Sequence, residues 1–382
     1  MDKIVVIMPT YNEAANISPM IDELVGVEFP KITKAKMLLL VVDDKSPDGT
    51  GTIVKDYMKK YKNVHLLLGD KKGLGWAYIR GMRYAMKMLG ADATIEMDAD
   101  FQHDPKSVKK MVEAYLKGAD YVIGSRYVKG GSIPNKWALP RKAMSFFGNL
   151  FARVVLFRPK LHDLTTGFRL TRVKGVLDKI KLEKLRELER FAYKIDLLFQ
   201  TTKITKNTVE VPIHFGIRVN ESSKFNIKEM ISSYMIVVRI RLEESKRLIR
   251  FGVVGATGFI INYAFIRIFR YLNFSETLTW LFATELAIVN NFIFNNLWTF
   301  SEKKISGIKD TLLKFIQFNV TSGGALVIQS VLGPLGVRMF GEKYTVFILA
   351  FVVAFVVLPY NYLMYNLVIW KTWKLSFPKK QK

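Results

Sequence analysis

Residues 93–105 read ATIEMDADFQHDP, a short apolar run followed at once by acidic, amide and imidazole side chains. The apolar run predicts a buried β-strand over residues 93–97. Asp98 and Asp100 come directly after it, so their carboxylates can converge on one hard cation, with Gln102 adding a neutral amide oxygen. This stretch predicts an α/β sheet whose polar chemistry lies beyond the end of a strand.

The same alternation of apolar runs and helical patterns extends over residues 1–230. It is typical of a parallel sheet covered by helices. The other predicted strands are residues 4–8, 38–42, 64–68 and 121–124. The predicted helices are residues 14–25, 50–60, 75–89 and 105–117. In sheets of this class, ligands bind beyond the carboxyl ends of the strands.

Three further polar clusters follow predicted strands in the same way. They read PTYNE at residues 9–13, VDDKSPDGT at residues 42–50 and GSR at residues 124–126. Each cluster alone is an ordinary turn sequence. Four clusters at the ends of four strands predict one shared binding site at this edge of the sheet.

The side chains in these clusters suit a nucleotide and a metal ion. Tyr11 offers a ring face for a nucleobase, Glu13 an acceptor for sugar or base donors, and Asp44 a ribose or base contact. Oxygen ligands favour Mg²⁺ or Mn²⁺. A P-loop nucleotidase is disfavoured, because the sequence has no GxxxxGK[ST] motif. We expect His103 to act at a helix start and Gly73-Leu74-Gly75 to form a flexible substrate loop.

The composition divides the chain into two parts. The 382 residues carry a net charge of +25, although 50% of them are hydrophobic. Long apolar runs fill the last third, and a membrane span needs roughly 20 such residues. They predict four transmembrane helices near residues 249–271, 277–299, 313–338 and 344–370; a soluble helical core is the alternative. The absence of cysteine excludes disulfide scaffolds, thiolate metal sites and cysteine nucleophiles.

Basic residues are concentrated before the first predicted span, between the second and third, and after the fourth. This bias predicts that both termini and residues 1–230 are cytoplasmic. Asn291 and Asn296 repeat the spacing of Asn361 and Asn366, which indicates a tandem pair of two-helix units, with chance similarity as the alternative. The four-helix block resembles the GtrA-like membrane domain.

The ordered set of strand-end clusters resembles glycosyltransferase family 2 over about residues 1–230. Within that family it is similar to the polyprenyl-phosphate hexose synthases, especially those that make dolichyl phosphate mannose. The resemblance implies a Rossmann-like α/β GT-A domain (1–230), followed here by an all-α four-helix transmembrane domain (246–382). It also implies inverting, Mg²⁺- or Mn²⁺-dependent transfer of mannose from GDP-mannose to dolichyl phosphate. A sibling enzyme that uses UDP-glucose or another nucleotide sugar is the alternative.

The resemblance also assigns roles to individual residues. The nucleoside pocket comprises Pro9, Tyr11, Glu13, Val42 and Asp44. The metal and sugar-phosphate motif comprises Asp98, Ala99 and Asp100, with Asp100 and Gln102 as the metal ligands. Residues 163–169 (DLTTGFR) resemble a segment near the acceptor. Arg218 and Lys224 resemble the residues that close over the donor diphosphate, although Ile217 and Glu221 depart from the usual pattern there.

The lipid phosphate acceptor needs placement rather than a strong base, because it is already ionised near neutral pH. Arg126 follows a strand beside the metal motif and is also expected to face the donor phosphates. Arg141 and Ser145 are four residues apart on a predicted helix. We expect these three residues to hold the lipid phosphate and Asp98 to position the sugar or acceptor. A solvated basic helix is the alternative.

Residues 133–158 and 227–245 mix aromatic and basic side chains, which predicts two interfacial helices; ordinary core helices are the alternative. Two other functions are disfavoured. A processive polysaccharide synthase would carry a Gln-x-x-Arg-Trp motif, and the nearest counterpart, residues 185–190, lacks both Gln and Trp. Nucleic acid is not an expected partner, because it would not explain acidic residues clustered at strand ends. The oligomeric state has no signal in the sequence.

Overall fold

The computed structural model describes residues 1–217 and 227–373. The chain divides into two compact units, Met1–Arg241 and Leu242–Lys382. Arg218 and Lys224, predicted to close over the donor, lie outside the described residues.

The first unit is built on a seven-stranded sheet with the order β3-β2-β1-β4-β6-β5-β7. Its strands are β1 (Lys3–Thr10), β2 (Lys36–Asp43), β3 (Val64–Leu68), β4 (Ala93–Glu96), β5 (Tyr121–Ser125), β6 (Arg169–Arg172) and β7 (Thr208–Pro212). Strand β6 is antiparallel to both of its neighbours, and the other pairs are parallel. The expectation of a purely parallel sheet is therefore wrong at one strand.

Six helices accompany the sheet: α1 (Ala14–Ile21), α2 (Thr50–Lys60), α3 (Leu74–Lys87), α4 (Ser107–Leu116), α5 (Leu139–Val155) and α6 (Tyr193–Ile204). Successive side chains of a strand point to opposite faces of the sheet. Ile4, Val6 and Met8 accordingly join the core that includes residues of α1, α2 and α4. Val5 and Ile7 join the opposite core, which includes residues of α3 and α6. Both faces of the sheet are buried.

The second unit is helical. A single helix, α7 (Ile227–Tyr271), runs through the stretch where the sequence predicts an interfacial helix and a separate first span. No Gly or Pro lies between residues 227 and 251 to interrupt it. It is followed by α8 (Glu276–Phe294), α9 (Ile308–Phe340), α10 (Thr345–Val352) and α11 (Leu358–Met364).

The helices of the second unit lie where the four spans are predicted. Among the described residues, two helices are long and apolar enough to cross a membrane, Lys228–Tyr271 and Thr277–Thr299. Val353–Ile369 is a shorter apolar helix. The count of four spans remains a prediction.

Two asparagines of the predicted tandem repeat occupy the same local structure. Asn296 is the second residue of a five-residue π-helical turn, Asn295–Thr299, and Asn366 is the second residue of another, Tyr365–Ile369. Both side chains are buried and donate to a backbone carbonyl, Asn296 to Ile305 (3.0 Å) and Asn366 to Tyr362 (2.7 Å). The repeated spacing thus corresponds to a repeated local geometry.

Candidate active site

A cavity of about 360 Å³ opens at the carboxyl ends of β1, β2 and β4. Eight sequence-predicted site residues line it: Pro9, Tyr11, Glu13, Asp44, Asp98, Ala99, Asp100 and Gln102. The remaining lining residues are Thr10, Lys71, Gly73, Leu74, Ala77 and Phe191. The structure therefore brings together the clusters that follow three separate strands.

The loops after β1 and β2 are joined by hydrogen bonds that the VDDKSPDGT cluster accepts. The Oγ1 atom of Thr10 donates to the Oδ1 atom of Asp43 (2.9 Å). The Oδ2 atom of Asp48 accepts from the backbone N–H of Ala14 (2.9 Å), and the Oγ1 atom of Thr50 accepts from that of Glu13 (3.1 Å). These polar residues of the VDDKSPDGT cluster hold the PTYNE loop, so that Tyr11 and Glu13 border the cavity.

Asp44 is only 8% exposed, and its Oδ1 atom lies 2.5 Å from an Nη atom of Arg80 on α3. Burial raises the pKa of Asp44, although the Arg80 guanidinium and its hydrogen bond oppose the rise. The ammonium of Lys71 lies 3.3 Å from the centre of the Tyr11 ring. Asp44, Lys71 and Tyr11 therefore give this side of the cavity an acidic, a basic and an aromatic group.

The acidic motif after β4 is held in a tight turn. Phe101 has a φ of +61°, and the Oδ1 atom of Asp100 accepts from the backbone N–H of Gln102 (3.0 Å). Asp100 is 4% exposed, and the Oδ1 atom of Asp98 accepts from the hydroxyl of Tyr78 (2.7 Å). The turn carries all four predicted metal or sugar-phosphate residues, 98–100 and 102, into the cavity lining.

His103 has a different role from the one expected at a helix start. Its buried ring stacks on Phe168 (5.0 Å between centroids), and its Nδ1 atom accepts from the backbone N–H of Asp98 (3.0 Å). Burial lowers its pKa, which favours the neutral ring that this hydrogen bond requires. Asp104 serves the turn before α4 instead, accepting from the backbone N–H of Lys106. His103 thus anchors the acidic motif.

The donor set of the cavity fits a hard divalent cation. Asp100 and Gln102 offer carboxylate and amide oxygens, and Mg²⁺ or Mn²⁺ commonly takes few protein ligands and completes its shell with substrate phosphates and water. Within residues 1–217 and 227–373, no group of three or more His, Asp or Glu side chains is placed to hold a metal ion by itself.

Arg126 does not line the cavity. It is buried, and its guanidinium donates twice to the carboxylate of Asp163, at 2.7 Å each, and once to the Oγ1 atom of Thr165 (2.7 Å). Burial opposes ionisation of Asp163, but the charge and hydrogen bonds of Arg126 outweigh it and lower the pKa of Asp163. Residue 163 of the DLTTGFR segment is thus the partner of Arg126, which the sequence did not reveal.

Ser145 and Arg141 lie on the amino-terminal half of α5. The Oγ atom of Ser145 accepts from the hydroxyl of Tyr127 (2.6 Å), and the guanidinium of Arg141 lies 4.0 Å from the centre of the Trp137 indole. The side chain of Asn149 donates both to the Ser145 carbonyl (2.9 Å) and to Thr165 (3.0 Å). Arg126 and Ser145 therefore belong to one network through Thr165 and Asn149, whereas Arg141 lies one turn before Ser145.

Val42 is fully buried and contributes to the core rather than to the cavity lining. The Gly73-Leu74-Gly75 segment is also placed differently from the flexible loop expected. The N–H of Gly75 donates to the Leu188 carbonyl (2.9 Å), and a Cβ on Gly73 would lie 2.5 Å from the Cα of Glu189. Close backbone packing, rather than loop motion, explains these two glycines.

Several cavity residues carry no sequence signal. Lys71 lies in an exposed polar loop, and Phe191 comes from a segment almost a hundred residues after the acidic motif. A single Lys or Phe outside a motif has no pattern that marks it as a site residue. Only the fold brings these two side chains to the ends of β1, β2 and β4.

Two family models match this chain. "Glycosyl transferase family 2" matches residues 5–178, and "GtrA/DPMS, transmembrane domain" matches residues 250–370. The dolichol-phosphate mannosyltransferase of Pyrococcus furiosus is 32% identical over 362 residues, which cover 93% of this chain and 97% of that relative. The chain belongs to glycosyltransferase family 2. This family 2 glycosyltransferase carries a GtrA/DPMS transmembrane domain and is a membrane protein.

Two further comparisons cover a smaller share of this family 2 glycosyltransferase. The undecaprenyl-phosphate mannosyltransferase of Micrococcus luteus is 37% identical over 59% of this chain and 88% of its own length. Glucosyl-3-phosphoglycerate synthase from Mycobacterium tuberculosis is a solved structure with 18% identity and a TM-score of 0.43, covering 63% of this chain and 80% of that one. The predicted GT-A-type α/β domain followed by a helical membrane domain is confirmed.

Proposed function

We propose that this glycosyltransferase moves mannose from GDP-mannose to the phosphate of dolichol or a related polyprenol. The observation that carries the proposal is the single cavity in which the clusters after β1, β2 and β4 converge. Relatives named as dolichol-phosphate and undecaprenyl-phosphate mannosyltransferases support the choice of sugar and carrier.

The donor nucleoside binds between the loops after β1 and β2. Tyr11 is 40% exposed and supplies a ring face for the base, while Asp44 and Glu13 accept hydrogen bonds from base or ribose. Pro9 borders this pocket, and Val42 supports it from the core of the sheet. Arg218 and Lys224 close over the diphosphate in this proposal.

A divalent ion, Mg²⁺ or Mn²⁺, is held by Asp100 and Gln102 with the donor diphosphate. When bound, it offsets the negative charge that develops on the departing diphosphate. Asp98 and Ala99, in the same turn, border the donor diphosphate and the sugar. Asp98 orients the mannose or the acceptor, and it has no need to act as a base, because the acceptor phosphate is already an anion.

The transfer breaks one bond and forms one bond. An oxygen of the lipid phosphate attacks the anomeric carbon of mannose, and the bond from that carbon to the GDP oxygen breaks with its electron pair on GDP. Attack opposite the leaving group inverts the anomeric centre, and the products are dolichyl phosphate mannose and GDP. Arg141 and Ser145 place the lipid phosphate, while Arg126, paired with Asp163, supports Ser145 through Thr165 and Asn149.

The lipid acceptor requires access from a membrane surface. Exposed apolar side chains are numerous on and just after α5: Leu139, Phe146, Phe147, Leu150, Val154 and Phe157. Lys142 and Arg153 on the same helix add positive charge. This combination is typical of a helix that lies in the lipid headgroup region. In this proposal, this helix, the first unit and both termini are cytoplasmic. Four helices of the second unit span the membrane.

A donor competition assay tests the proposal. The full-length protein in lipid vesicles is offered GDP-mannose and UDP-glucose separately, each with dolichyl phosphate and MgCl₂ or MnCl₂, and lipid-linked sugar is extracted and counted. We expect transfer from GDP-mannose that requires both metal and lipid phosphate. Transfer from UDP-glucose alone would reject the mannose assignment, and equal transfer after metal chelation would reject the metal.

Two variants of the acidic turn make the assay specific. Asp100→Ala removes a cavity carboxylate and should lower transfer at least about 100-fold. Asp104→Ala is the matched control, because this neighbouring acid supports the turn before α4 and does not line the cavity. Similar losses of transfer in both variants would show that the local backbone was disturbed. The loss in Asp100→Ala could then not be assigned to a missing metal ligand.

A further inference from the structure

Beneath the acidic motif lies a lysine that is completely buried. Lys194, in the first turn of α6, has 0% of its side chain exposed. Its ammonium lies 3.6 Å from the Oδ1 atom of Asp98, donates to the Gly167 carbonyl (3.2 Å) and lies 4.4 Å from the centre of the Tyr78 ring. Lys194 therefore contacts the first carboxylate of the motif from the side opposite to solvent.

An ammonium in such a place needs compensating charge. Moving a cation from water into a protein interior is strongly unfavourable unless carboxylates and hydrogen bonds offset it. Asp98 is one of the two acids beside Lys194, and the other is Glu96, which is 1% exposed and close enough to interact electrostatically with it. The Oε1 atom of Glu96 has no hydrogen-bond partner among the described residues.

The surrounding backbone is shaped to admit the Lys194 side chain. A Cβ on Gly167 would lie 2.3 Å from the ammonium nitrogen, so any larger residue there would force the Lys194 side chain to move. Arg169 donates to the carbonyls of Lys194 (2.5 Å) and Leu164 (3.0 Å), which fixes the start of α6 against the DLTTGFR segment. Asp98 and Gly167 therefore both contact the ammonium group of Lys194.

We propose that Lys194 is a positioning residue for the donor site, which holds the Asp98 carboxylate in the orientation that binding of the nucleoside diphosphate and its metal ion requires. Tyr78 is the second support, because its hydroxyl donates to the same Asp98 oxygen (2.7 Å). Asp98 lines the cavity with about 29% of its side chain exposed, so its outer surface faces ligand while Lys194 holds its inner side. The inference rests on the proposed donor site.

A double-mutant cycle on nucleotide binding tests this role. Binding of GDP and of UDP, each with MnCl₂, is measured calorimetrically for the full-length wild type, Lys194→Met, Asp98→Asn and the double variant. We expect Lys194→Met to weaken binding of the preferred nucleotide at least about 10-fold, and the double variant to bind no more weakly than Asp98→Asn. Strictly additive losses, or an unchanged affinity in Lys194→Met, would overturn the proposal.

Gly167→Ala provides a second route if Lys194→Met does not fold, because its methyl group displaces the ammonium without removing it. Gly148→Ala on α5 is its matched control, since the nearest atom to the added Cβ is 3.6 Å away. We expect weaker nucleotide binding in Gly167→Ala and wild-type binding in Gly148→Ala. If Lys194→Met and Gly167→Ala lower the melting temperature but retain full affinity, Lys194 serves only the core. A wild type that binds neither GDP nor UDP would contradict the donor site itself.

Discussion

Arg126 and Asp163 form a buried ion pair between two sequence motifs. Both side chains are buried, and the carboxylate receives the guanidinium and the backbone N–H of Arg126. Removing the carboxylate would leave the guanidinium charge buried without a partner, because no water can reach it. An unpaired buried charge strongly destabilises the folded state. This pair fixes the chain after β5 to the segment that follows α5, where the acceptor residues are predicted.

We predict that Asp163→Asn lowers the free energy of unfolding by about 3–5 kcal/mol, because it leaves the Arg126 charge buried and unpaired. The pKa of Asp163 is lowered in the folded state from its ordinary value of 3.8. Its stabilising contribution is therefore complete above about pH 3.8 and is lost as the pH falls through the lower folded-state pKa. In thermal melts between pH 7 and pH 3, the difference between wild type and variant should stay constant down to about pH 4 and then begin to narrow.

Asp56→Asn is the control for this measurement. Asp56 pairs with Lys59 on the surface, where both side chains are largely exposed, and such pairs contribute about 0–1 kcal/mol. A loss in Asp163→Asn no larger than in Asp56→Asn, or a difference from wild type that persists unchanged at pH 3, would contradict the assigned pair.

Most of the strand-end motif residues predicted for the site do line the cavity, although Val42 and Arg126 do not, and cavity residues outside motifs could not be predicted. Tyr11, Asp44 and Asp100 follow apolar runs, and the carboxyl ends of such strands meet at one edge of a sheet. Lys194 has no such marker. In the sequence it is one of many lysines, and its burial depends on Gly167, which is adjacent only after folding. The assignments of Arg141 and Ser145 to the acceptor remain predictions.

At the level of elements, the beginning of α3 is joined to the segment before α6 by two glycines. The N–H of Gly75 donates to Leu188, and a Cβ on Gly75 would lie 2.7 Å from the Leu188 carbonyl oxygen. Three residues after Leu188, Phe191 lines the cavity. The packing of these elements thus determines part of the cavity wall.

We predict that Gly75→Ala destabilises the protein by about 1–3 kcal/mol, because backbone atoms must move to admit the methyl group. The same shift moves Phe191 and should weaken nucleotide binding several-fold. Thermal melts and calorimetry with GDP and MnCl₂ measure the two effects. Gly252→Ala is the control, since no atom lies within 4 Å of the added Cβ. Unchanged affinity with a normal melting temperature would contradict this coupling.

The sequence predicts elements well where their apolar pattern is long or their caps are explicit. Residues 50–60 form α2 as predicted, beginning just after Gly49. Strand β6 reads RLTR and is four residues long, so no apolar run marks it. Its Arg169 is buried only because Leu164 and Lys194 offer carbonyls to its guanidinium. Tertiary hydrogen bonding of this kind leaves no local pattern.

For the whole molecule, the long apolar runs are concentrated in the last third of the chain, whereas the charge of +25 is shared by both units. The compact units divide at residues 241 and 242, and the GtrA/DPMS match begins at residue 250. Apolar periodicity and length were sufficient to predict a helical region that matches the transmembrane family model. They were insufficient to predict that α7 is continuous, because the charged stretch before residue 250 resembles the end of a helix.

The absence of native cysteine permits a direct test of the four-span topology. We predict that Lys304→Cys is labelled by a membrane-impermeant maleimide from the same side as the amino terminus. Asn273→Cys and Lys343→Cys, both at exposed positions between helices, should be labelled from the opposite side. Labelling is compared in inverted and right-side-out vesicles. Labelling of Asn273→Cys and Lys304→Cys from one side would eliminate the second predicted span.

The position of β6 has a consequence for how the protein is made. Among the described strands, β6 alone pairs with both β4 and β5, and it is synthesised after both of them. A nascent chain that ends before residue 169 therefore cannot join β5 to the rest of the sheet, and its unpaired strand edges stay open to wrong pairing. The ribosome must release more than forty further residues after β5 before that strand can join the rest of the sheet.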